Sequence, residues 1–164
     1  MMPDDNTQTL NEGLAQAMLV NRHLLVTAES CTGGGIAHAL TSLAGSSKWF
    51  ERGFVTYSNA SKQDLLQVSL DTLNRHGAVS EECAAEMVVG ALVNSLADIA
   101  VSVTGIAGPD GGSDDKPVGT VCFGWARREQ QPLTARTIFP GDREQVREQS
   151  IQMALQGLLD LLRA

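Results

Sequence analysis

The sequence predicts an α/β fold in which helices pack against a mixed, partly parallel sheet. Two short apolar runs, "LLVTAE" and "GFVTYS", are each followed by a segment with helical character, and "DIAVSVTG" follows a further helix. Strands that alternate with helices are typical of parallel sheets joined by crossovers. The next two runs, "VGTVCFGWAR" and "LTARTIF", are separated only by a short polar stretch, so we expect them to pair as a hairpin.

Each element of the first half has its own signal. Apolar residues at helical spacing from about Thr7 to Asn21 predict a helix before the "LLVTAE" strand. Three glycines then open a second helix, and Asn59 is a plausible N-cap for the helix after "GFVTYS". In a right-handed crossover the two strands are parallel, which places their carboxyl ends at one edge of the sheet.

The second half carries similar signals. Ser80 is a good N-cap residue. The two glutamates that follow it are favoured by the helix dipole in the first turn, so a helix is expected to start there. The buried face of this helix is expected to comprise Cys83, Ala84, Met87, Val88, Ala91, Leu92 and Leu96. "DIAVSVTG" is the most apolar strand and is expected at the centre of the sheet. The last helix begins near Asp142, which has the residue types of a near capping box with Gln145.

Length and charge bound the class of protein. A chain of 164 residues fits one compact domain, 1–164, since domains cluster at roughly 100 to 150 residues. The formal net charge of −7 provides no basic surface for nucleic acid or for an anionic membrane. No signal-peptide pattern or long apolar segment is present, so a cytoplasmic protein is expected. Three widely spaced cysteines favour neither a disulfide framework nor a zinc site.

The stretch "AESCTGGG" holds the first candidate site. Ser30 lies between a predicted strand and a helix start, where unpaired backbone N–H groups can bind an oxyanion or a phosphate. The residues of this turn that would bind the oxyanion or substrate are Cys31, Thr32, Gly33 and Gly34. The alternative is that Ser30 or Thr32 only caps the helix and the glycines allow a tight turn.

A nucleophilic serine needs a base, and none of the three histidines lies in a glycine-rich turn. Lys62 is the other option, because it lies about one turn into the helix that follows the second strand. Tyr57 stands near the end of that strand, so both can reach the sheet edge at which Ser30 lies. Lysine acts as a base only when its surroundings lower its pKa from about 10.4 towards 7 or 8. The alternative is a solvated lysine on an exposed helix.

A long glycine-rich loop follows the third strand, and such loops are usually functional or mobile. Its glycines allow successive N–H groups to point inward and bind an anion. The candidate phosphate- or substrate-binding residues are Thr104, Gly105, Gly108, Gly111 and Gly112. Three acids, Asp110, Asp114 and Asp115, allow a divalent-metal loop instead. Because they lack EF-hand spacing, the anion site is preferred and no metal site is assigned.

Two arginines share a face at the start of the last helix. Arg143 and Arg147 are four residues apart, and cations at this position oppose the helix dipole. Such an arrangement is typical of a site that binds an anion or pairs with an acid, and Arg143 is the candidate phosphate ligand. A solvated helix face is the alternative.

Six ordered segments together resemble one family. They are "AESCTGG", "GSSKWFERGFVTYSNASK", "GAVSEE", "TGIAGPDGG", "KPVGTV" and "GDR". In this order, from about Leu24 to the C-terminus, the chain resembles the C-terminal, amidohydrolase domain of the CinA (competence-damage-inducible) proteins. That domain also occurs alone as a nicotinamide-nucleotide amidohydrolase. The resemblance implies a three-layer α/β/α sandwich.

The resemblance also implies a reaction. Such domains hydrolyse the carboxamide of nicotinamide mononucleotide to nicotinate mononucleotide and ammonia, so a pyridine mononucleotide is the expected small-molecule partner. A serine of the family is regarded as the nucleophile, assisted by a lysine and a tyrosine. The matching positions are Ser30, Lys62 and Tyr57. No metal or organic cofactor is implied.

Two alternatives to this function stay open. Cys31 could be the nucleophile, since a thiolate is intrinsically more reactive and the helix dipole would lower its pKa. The chain could also be a non-catalytic nucleotide-binding module that uses the same glycine loops. Apolar surface on the last helix or at the hairpin edge would support a homo-oligomer.

Overall fold

A computed structural model describes residues 4–164, so residues 1–3 of the predicted domain lie outside the described part. The helices are α1 (Asp5–Asn21), α2 (Gly35–Thr41), α3 (Asn59–Leu66), α4 (Leu70–His76), α5 (Glu81–Val93) and α6 (Arg143–Arg163). The strands are β1 (Leu25–Glu29), β2 (Phe50–Val55), β3 (Ile99–Gly105), β4 (Thr120–Arg127) and β5 (Leu133–Ile138). No helix among these residues is long and apolar enough to cross a membrane.

The five strands form one mixed sheet in the order β2-β1-β3-β4-β5. β1 pairs in parallel with both β2 and β3, whereas β4 pairs antiparallel with β3 and β5. The predicted mixed sheet, the central position of β3 and the β4–β5 hairpin are therefore confirmed. Because β1, β2 and β3 are parallel, their carboxyl ends lie at the same edge of the sheet.

Helices cover both faces of the sheet, which confirms the three-layer sandwich. In β3, the side chains of Ile99, Val101 and Val103 join the core cluster that contains residues of α1, α2 and α6. Ala100 joins the cluster on the other face, beside α5. Successive side chains of a strand point to opposite faces, so a central strand with helices on both sides is buried on both faces. The one polar residue in its middle, Ser102, is buried and donates its hydroxyl to the Ala84 carbonyl at 2.6 Å.

The second strand lies three residues earlier than predicted. β2 is an edge strand that pairs only with β1, and its pairing begins with Phe50 opposite Leu25. After Val55 the chain turns into α3, whose N-cap is Ser58 rather than the predicted Asn59. The Ser58 Oγ accepts the backbone N–H at position 61 at 3.0 Å. An edge strand has one exposed side and therefore shows a weaker apolar pattern.

Two further differences concern the middle of the chain. α5 ends at Val93, so Leu96 does not belong to its buried face and is 73% exposed. The other six residues predicted for that face are buried, and Ser80 caps the helix as expected. α4 covers a stretch for which the sequence predicted no element, because seven residues are too few to show a helical repeat. The capping box of Asp142 and Gln145 is present.

Candidate active site

The carboxyl ends of the three parallel strands surround a cavity. Ser30 follows β1, Tyr57 follows β2, and Thr104 and Gly105 end β3. The cavity has a volume of about 260 Å³. Its lining comprises Ser30, Cys31, Tyr57, Asn59, Lys62, Ala78, Val79, Thr104, Gly105, Ile106, Ala107, Gly108, Asp110, Gly111 and Arg143. Segments far apart in the sequence therefore meet at one sheet edge.

Ser30 and Lys62 form the buried part of this cavity. The Lys62 Nζ lies 3.0 Å from the Ser30 Oγ. The backbone N–H of Ser30 donates to the Val103 carbonyl at 3.0 Å, which fixes the serine against β3. Ser30 is 7% exposed and Lys62 is 1% exposed. The alternative of a solvated lysine is therefore wrong, because the side chain runs inward from α3.

Two backbone carbonyls orient the Lys62 amine. Its Nζ donates to the Thr56 carbonyl at 2.9 Å and to the Tyr57 carbonyl at 3.2 Å. Burial lowers the pKa of Lys62, because removal from water disfavours the charged ammonium. A neutral amine has two N–H groups and one lone pair. The Nζ also donates to the Ser30 Oγ at 3.0 Å. In the neutral amine, with both N–H groups on the carbonyls, this third position would hold the lone pair that a general base needs.

Tyr57 and Arg143 meet at the mouth of the cavity. The Tyr57 side chain is 60% exposed, and its hydroxyl accepts from Arg143 Nη2 at 3.0 Å. The Arg143 Nη1 donates to the Gly108 carbonyl at 2.8 Å. The Tyr57 hydroxyl is therefore bonded to Arg143, and the contact of Tyr57 with the lysine is made by its carbonyl. Arg143 links α6 to the glycine-rich loop across the mouth.

The glycine-rich loop forms one wall of the cavity. The Thr104 hydroxyl donates to the Ala78 carbonyl at 2.9 Å, which ties the end of β3 to the turn before α5. Gly108 and Gly111 have φ angles of +83° and +94°, which L-residues rarely adopt. Within residues 4–164, the backbone N–H groups of Ala107, Gly108 and Gly111 donate to no other residue. N–H groups without a protein acceptor can donate to an anion, and the anion site at this loop stays a prediction.

Four of the predicted binding residues do not line the cavity. They are Thr32, Gly33, Gly34 and Gly112. The Gly33 N–H donates to the Ser30 carbonyl at 3.0 Å and closes a tight turn. Cys31 is thus the member of the predicted oxyanion turn that reaches the cavity, because the turn directs the residues after it towards α2.

Glu29 is a buried residue that the sequence analysis missed. Its carboxylate accepts from the Thr32 hydroxyl at 2.6 Å, from the Ile36 N–H at 2.8 Å and from the Ala37 N–H at 3.0 Å. These N–H groups belong to the helix start that could have held an anion. The protein's own carboxylate therefore occupies that position and anchors the turn after Ser30. The sequence did contain a signal for this role, since Glu29 is a single acidic residue at the end of an otherwise apolar predicted strand.

Cys31 lines the cavity, but the residue is only 6% exposed. Burial raises the pKa of Cys31 to about 12, so the predicted lowering by the helix dipole is wrong. The reactive form of a cysteine is the thiolate, and a raised pKa makes it scarce at neutral pH.

Asn59 and Asp110 complete the polar lining of the cavity. The sequence predicts Asn59 as a helix cap and Asp110 as part of the alternative metal loop. Within the described residues, no three His, Cys, Asp or Glu side chains are grouped as a metal site would require. Asp110 therefore enters the site as a single carboxylate.

Comparisons with known proteins show the family and the fold of the chain. The family model for the CinA C-terminal domain matches residues 7–162. The chain is 52% identical over 157 residues to the nicotinamide-nucleotide amidohydrolase PncC of Escherichia coli K12, with 96% of this chain and 95% of the relative covered. It is 53% identical to PncC of Pseudomonas putida, with 84% and 85% covered. The crystal structure of the competence/damage inducible protein CihA from Agrobacterium tumefaciens has a TM-score of 0.96 and 41% identity, with 100% and 99% covered.

Proposed function

The chain belongs to the CinA C-terminal domain family, and from that premise we propose that it hydrolyses the carboxamide of nicotinamide mononucleotide to nicotinate mononucleotide and ammonia. The observation that carries the proposal is the buried pair of Ser30 and Lys62, whose Oγ and Nζ lie 3.0 Å apart at the cavity. The names of the relatives in Escherichia coli and Pseudomonas putida support this substrate.

In the first step, Ser30 Oγ attacks the amide carbon while Lys62 Nζ accepts the hydroxyl proton. A carbon–oxygen bond forms, and the carbonyl electron pair moves onto oxygen to give a tetrahedral oxyanion. When the oxyanion collapses, the Lys62 ammonium protonates the amide nitrogen, the carbon–nitrogen bond breaks and ammonia leaves. The nicotinoyl group is then held as an ester of Ser30.

In the second step, water attacks the ester carbon and Lys62 accepts its proton. Collapse of the new tetrahedral species breaks the bond to Ser30 Oγ, which recovers the proton from Lys62. The product leaves as the carboxylic acid, which gives its proton to water to become the carboxylate, and both residues return to their starting state. Lys62 therefore acts as base and acid in turn, which requires a pKa below the ordinary lysine value.

The oxyanion is stabilised by the backbone N–H of Cys31, which directly follows the nucleophile. Within residues 4–164, this N–H donates to no other residue. The second donor is assigned to the N–H of Ala107 or Gly108, because both residues line the cavity and neither N–H donates to another residue within residues 4–164. Donors of this kind are effective because they are already in place before charge develops.

The substrate phosphate is expected to bind at the mouth, where Arg143 can supply a guanidinium and the exposed Gly111 an N–H group. A phosphate there can accept from Arg143 in place of the Tyr57 hydroxyl and the Gly108 carbonyl. The carboxamide then reaches Ser30 at the buried end of the cavity.

The test is ammonia release from nicotinamide mononucleotide by the wild type, by Ser30→Ala and by Ser95→Ala, a serine outside the cavity. We expect Ser30→Ala to abolish release while its unfolding temperature stays close to that of the wild type. Wild-type protein that releases no ammonia refutes the function, and full activity in Ser30→Ala refutes the nucleophile.

A non-catalytic nucleotide-binding module is the alternative from another class. The contact of Lys62 with Ser30 disfavours this alternative. A buried amine with a lowered pKa beside a hydroxyl is typical of a catalytic site, and nucleotide binding alone does not require it. Binding of the mononucleotide without turnover would favour it.

A homo-oligomer and a cytoplasmic location stay predictions. Leu133 and Ile138 on the edge strand β5 are more than half exposed, which supports association through this edge. Sedimentation of the purified protein measures the oligomeric state.

A further inference from the structure

Asp110 is the only acidic residue among the described residues that line the cavity. It lies on the glycine-rich loop, between the two glycines with left-handed backbone that shape the wall. Within residues 4–164 it forms no ion pair. Arg143 lines the same cavity, but its guanidinium is bonded to the Gly108 carbonyl and the Tyr57 hydroxyl. The carboxylate of Asp110 is therefore available to a ligand.

The depth of the cavity orders the parts of the nucleotide. Ser30 and Lys62 are buried, whereas Arg143 and Asp110 are exposed. If the carboxamide contacts Ser30 and the phosphate contacts Arg143, the pentose lies between them. The loop that carries Asp110 runs from the buried end to the mouth, because Ala107 and Gly108 are buried, Asp110 and Gly111 are exposed, and all four line the cavity. It therefore passes the position of the pentose.

The chemistry of a carboxylate selects its partner. An ionised carboxylate only accepts hydrogen bonds, and it repels a phosphate. The sugar hydroxyls are the hydrogen-bond donors in the middle of a ribonucleotide, and O–H to carboxylate bonds are short and strong. Carboxylates fill this role towards ribose in dinucleotide-binding folds. The pyridinium ring carries positive charge, but it offers no N–H or O–H to the carboxylate.

We propose that Asp110 is a specificity-determining residue that accepts hydrogen bonds from the ribose hydroxyls of the bound nucleotide. This inference rests on the function proposed above. It assigns the glycine-rich loop two tasks: its N–H groups bind the phosphate, and its carboxylate distinguishes a ribonucleotide from a deoxyribonucleotide.

The experiment compares wild type, Asp110→Ala and Asp114→Ala on nicotinamide mononucleotide and on its 2′-deoxy and 3′-deoxy analogues. Asp114 is the matched control, because it is an exposed acid of the same loop that does not line the cavity. We expect Asp110→Ala to lower kcat/KM for the ribonucleotide by about 10- to 100-fold, mainly through KM, since hydrogen bonds to charged groups have this strength. Wild type should lose a similar factor on the analogue that lacks the contacted hydroxyl.

The decisive result is the combination of both changes. Asp110→Ala should treat the ribonucleotide and that deoxy analogue alike, and Asp114→Ala should behave as wild type. If Asp110→Ala loses the same factor on all three substrates, the carboxylate acts on the pyridinium or the loop and the proposal is overturned. No loss in Asp110→Ala overturns it as well.

Binding separates this proposal from the proposed reaction. Calorimetry on Ser30→Ala and on the double variant Ser30→Ala with Asp110→Ala measures dissociation constants without turnover. The same loss of discrimination between ribose and deoxyribose is expected there, even if the wild type releases no ammonia. Equal dissociation constants in the two proteins overturn the contact with ribose.

Discussion

The Lys62 Nζ lies 3.0 Å from the Ser30 Oγ, although the two residues are 32 positions apart in the chain. The parallel pairing of β1 with β2 brings them together, because each residue follows the carboxyl end of its strand. The serine is held by β3 through its N–H, and the amine is held by two carbonyls of the β2–α3 turn. The amine can therefore leave the serine only by giving up its two bonds to these carbonyls.

The pH dependence of activity should report the protonation state of Lys62. The base must be neutral, so kcat/KM should rise with pH and level off above the pKa of Lys62. Because burial lowers this pKa, the midpoint is expected below the ordinary value of about 10.4. Initial rates of ammonia release from pH 6 to 10 measure the profile. A profile without an acid limb would contradict Lys62 as the base.

Replacement of Lys62 should separate stability from activity. Lys62→Met should reduce kcat by about 10²- to 10⁴-fold, the usual contribution of a general base. In the wild type the native pKa is lowered, so the unfolded state binds more protons between that pKa and about 10.4, and stability rises with pH across this window. Denaturant unfolding of both proteins at pH 7 and pH 10 should show a smaller rise in Lys62→Met. An equal rise in both would show that the native pKa is not lowered.

Cys31 should be dispensable for catalysis. Its pKa of about 12 leaves little thiolate at neutral pH, so a thiol reagent should react slowly and Cys31→Ala should keep activity within a few-fold of wild type. Modification rates and residual activity are measured together at pH 7 and pH 9. Rapid inactivation of the wild type by the reagent, together with a Cys31→Ala variant that has no catalytic activity, would instead identify Cys31 as the nucleophile.

Glu29 should act on kcat through the turn that carries Ser30. In Glu29→Gln the side-chain amide presents N–H groups where the carboxylate accepts from the hydroxyl of Thr32 and the first N–H groups of α2. We expect a loss of about 1 to 3 kcal/mol in stability from the buried donors left unpaired. We also expect kcat to fall by about 10-fold or more while KM changes little, since misplacing a reacting group costs rate. Glu12→Gln, an exposed glutamate on α1, is the control. A change in KM alone would place Glu29 in substrate binding.

Arg143 should act on the phosphate. Arg143→Gln is expected to raise KM for the mononucleotide by about 10- to 100-fold through the lost charge-assisted bonds. Activity on nicotinamide riboside, which lacks the phosphate, should be equal in Arg143→Gln and wild type. Arg75→Gln changes an exposed arginine outside the cavity and should leave both substrates unaffected. An equal loss on nucleotide and nucleoside would place the phosphate elsewhere.

Local signals were sufficient for most of the fold. Apolar runs predicted all five strands, and Ser80 and Asp142 marked helix starts that the structure contains. The errors lie where tertiary context decides: β2 is an edge strand with a weak pattern, and α4 is too short to show a repeat. Leu96 follows the end of α5, although its spacing continues the apolar face.

The candidate site was only partly visible in the sequence. Ser30, Tyr57, Lys62 and the glycine-rich loop could be named from their positions after predicted strands. The direction of the Lys62 side chain could not be predicted from the sequence, because a helical pattern does not reveal which face of the helix a neighbouring strand will cover. The same holds for Glu29, whose donors lie on a helix that begins six residues later. Their partners are set by packing between elements.

The sequence by itself determined the order of the strands and of the helices other than α4, the parallel crossover, and the segments proposed to supply a nucleophile, a base and an anion site. These follow from residue spacing and capping, which act over a few residues. Only the tertiary structure decided that Lys62 is buried with its amine on Ser30, that Glu29 fills the helix start, and that Asp110 and Arg143 share the mouth of one cavity. Those relationships depend on desolvation and on distances between elements, and both are set only when the helices pack against the two faces of the sheet.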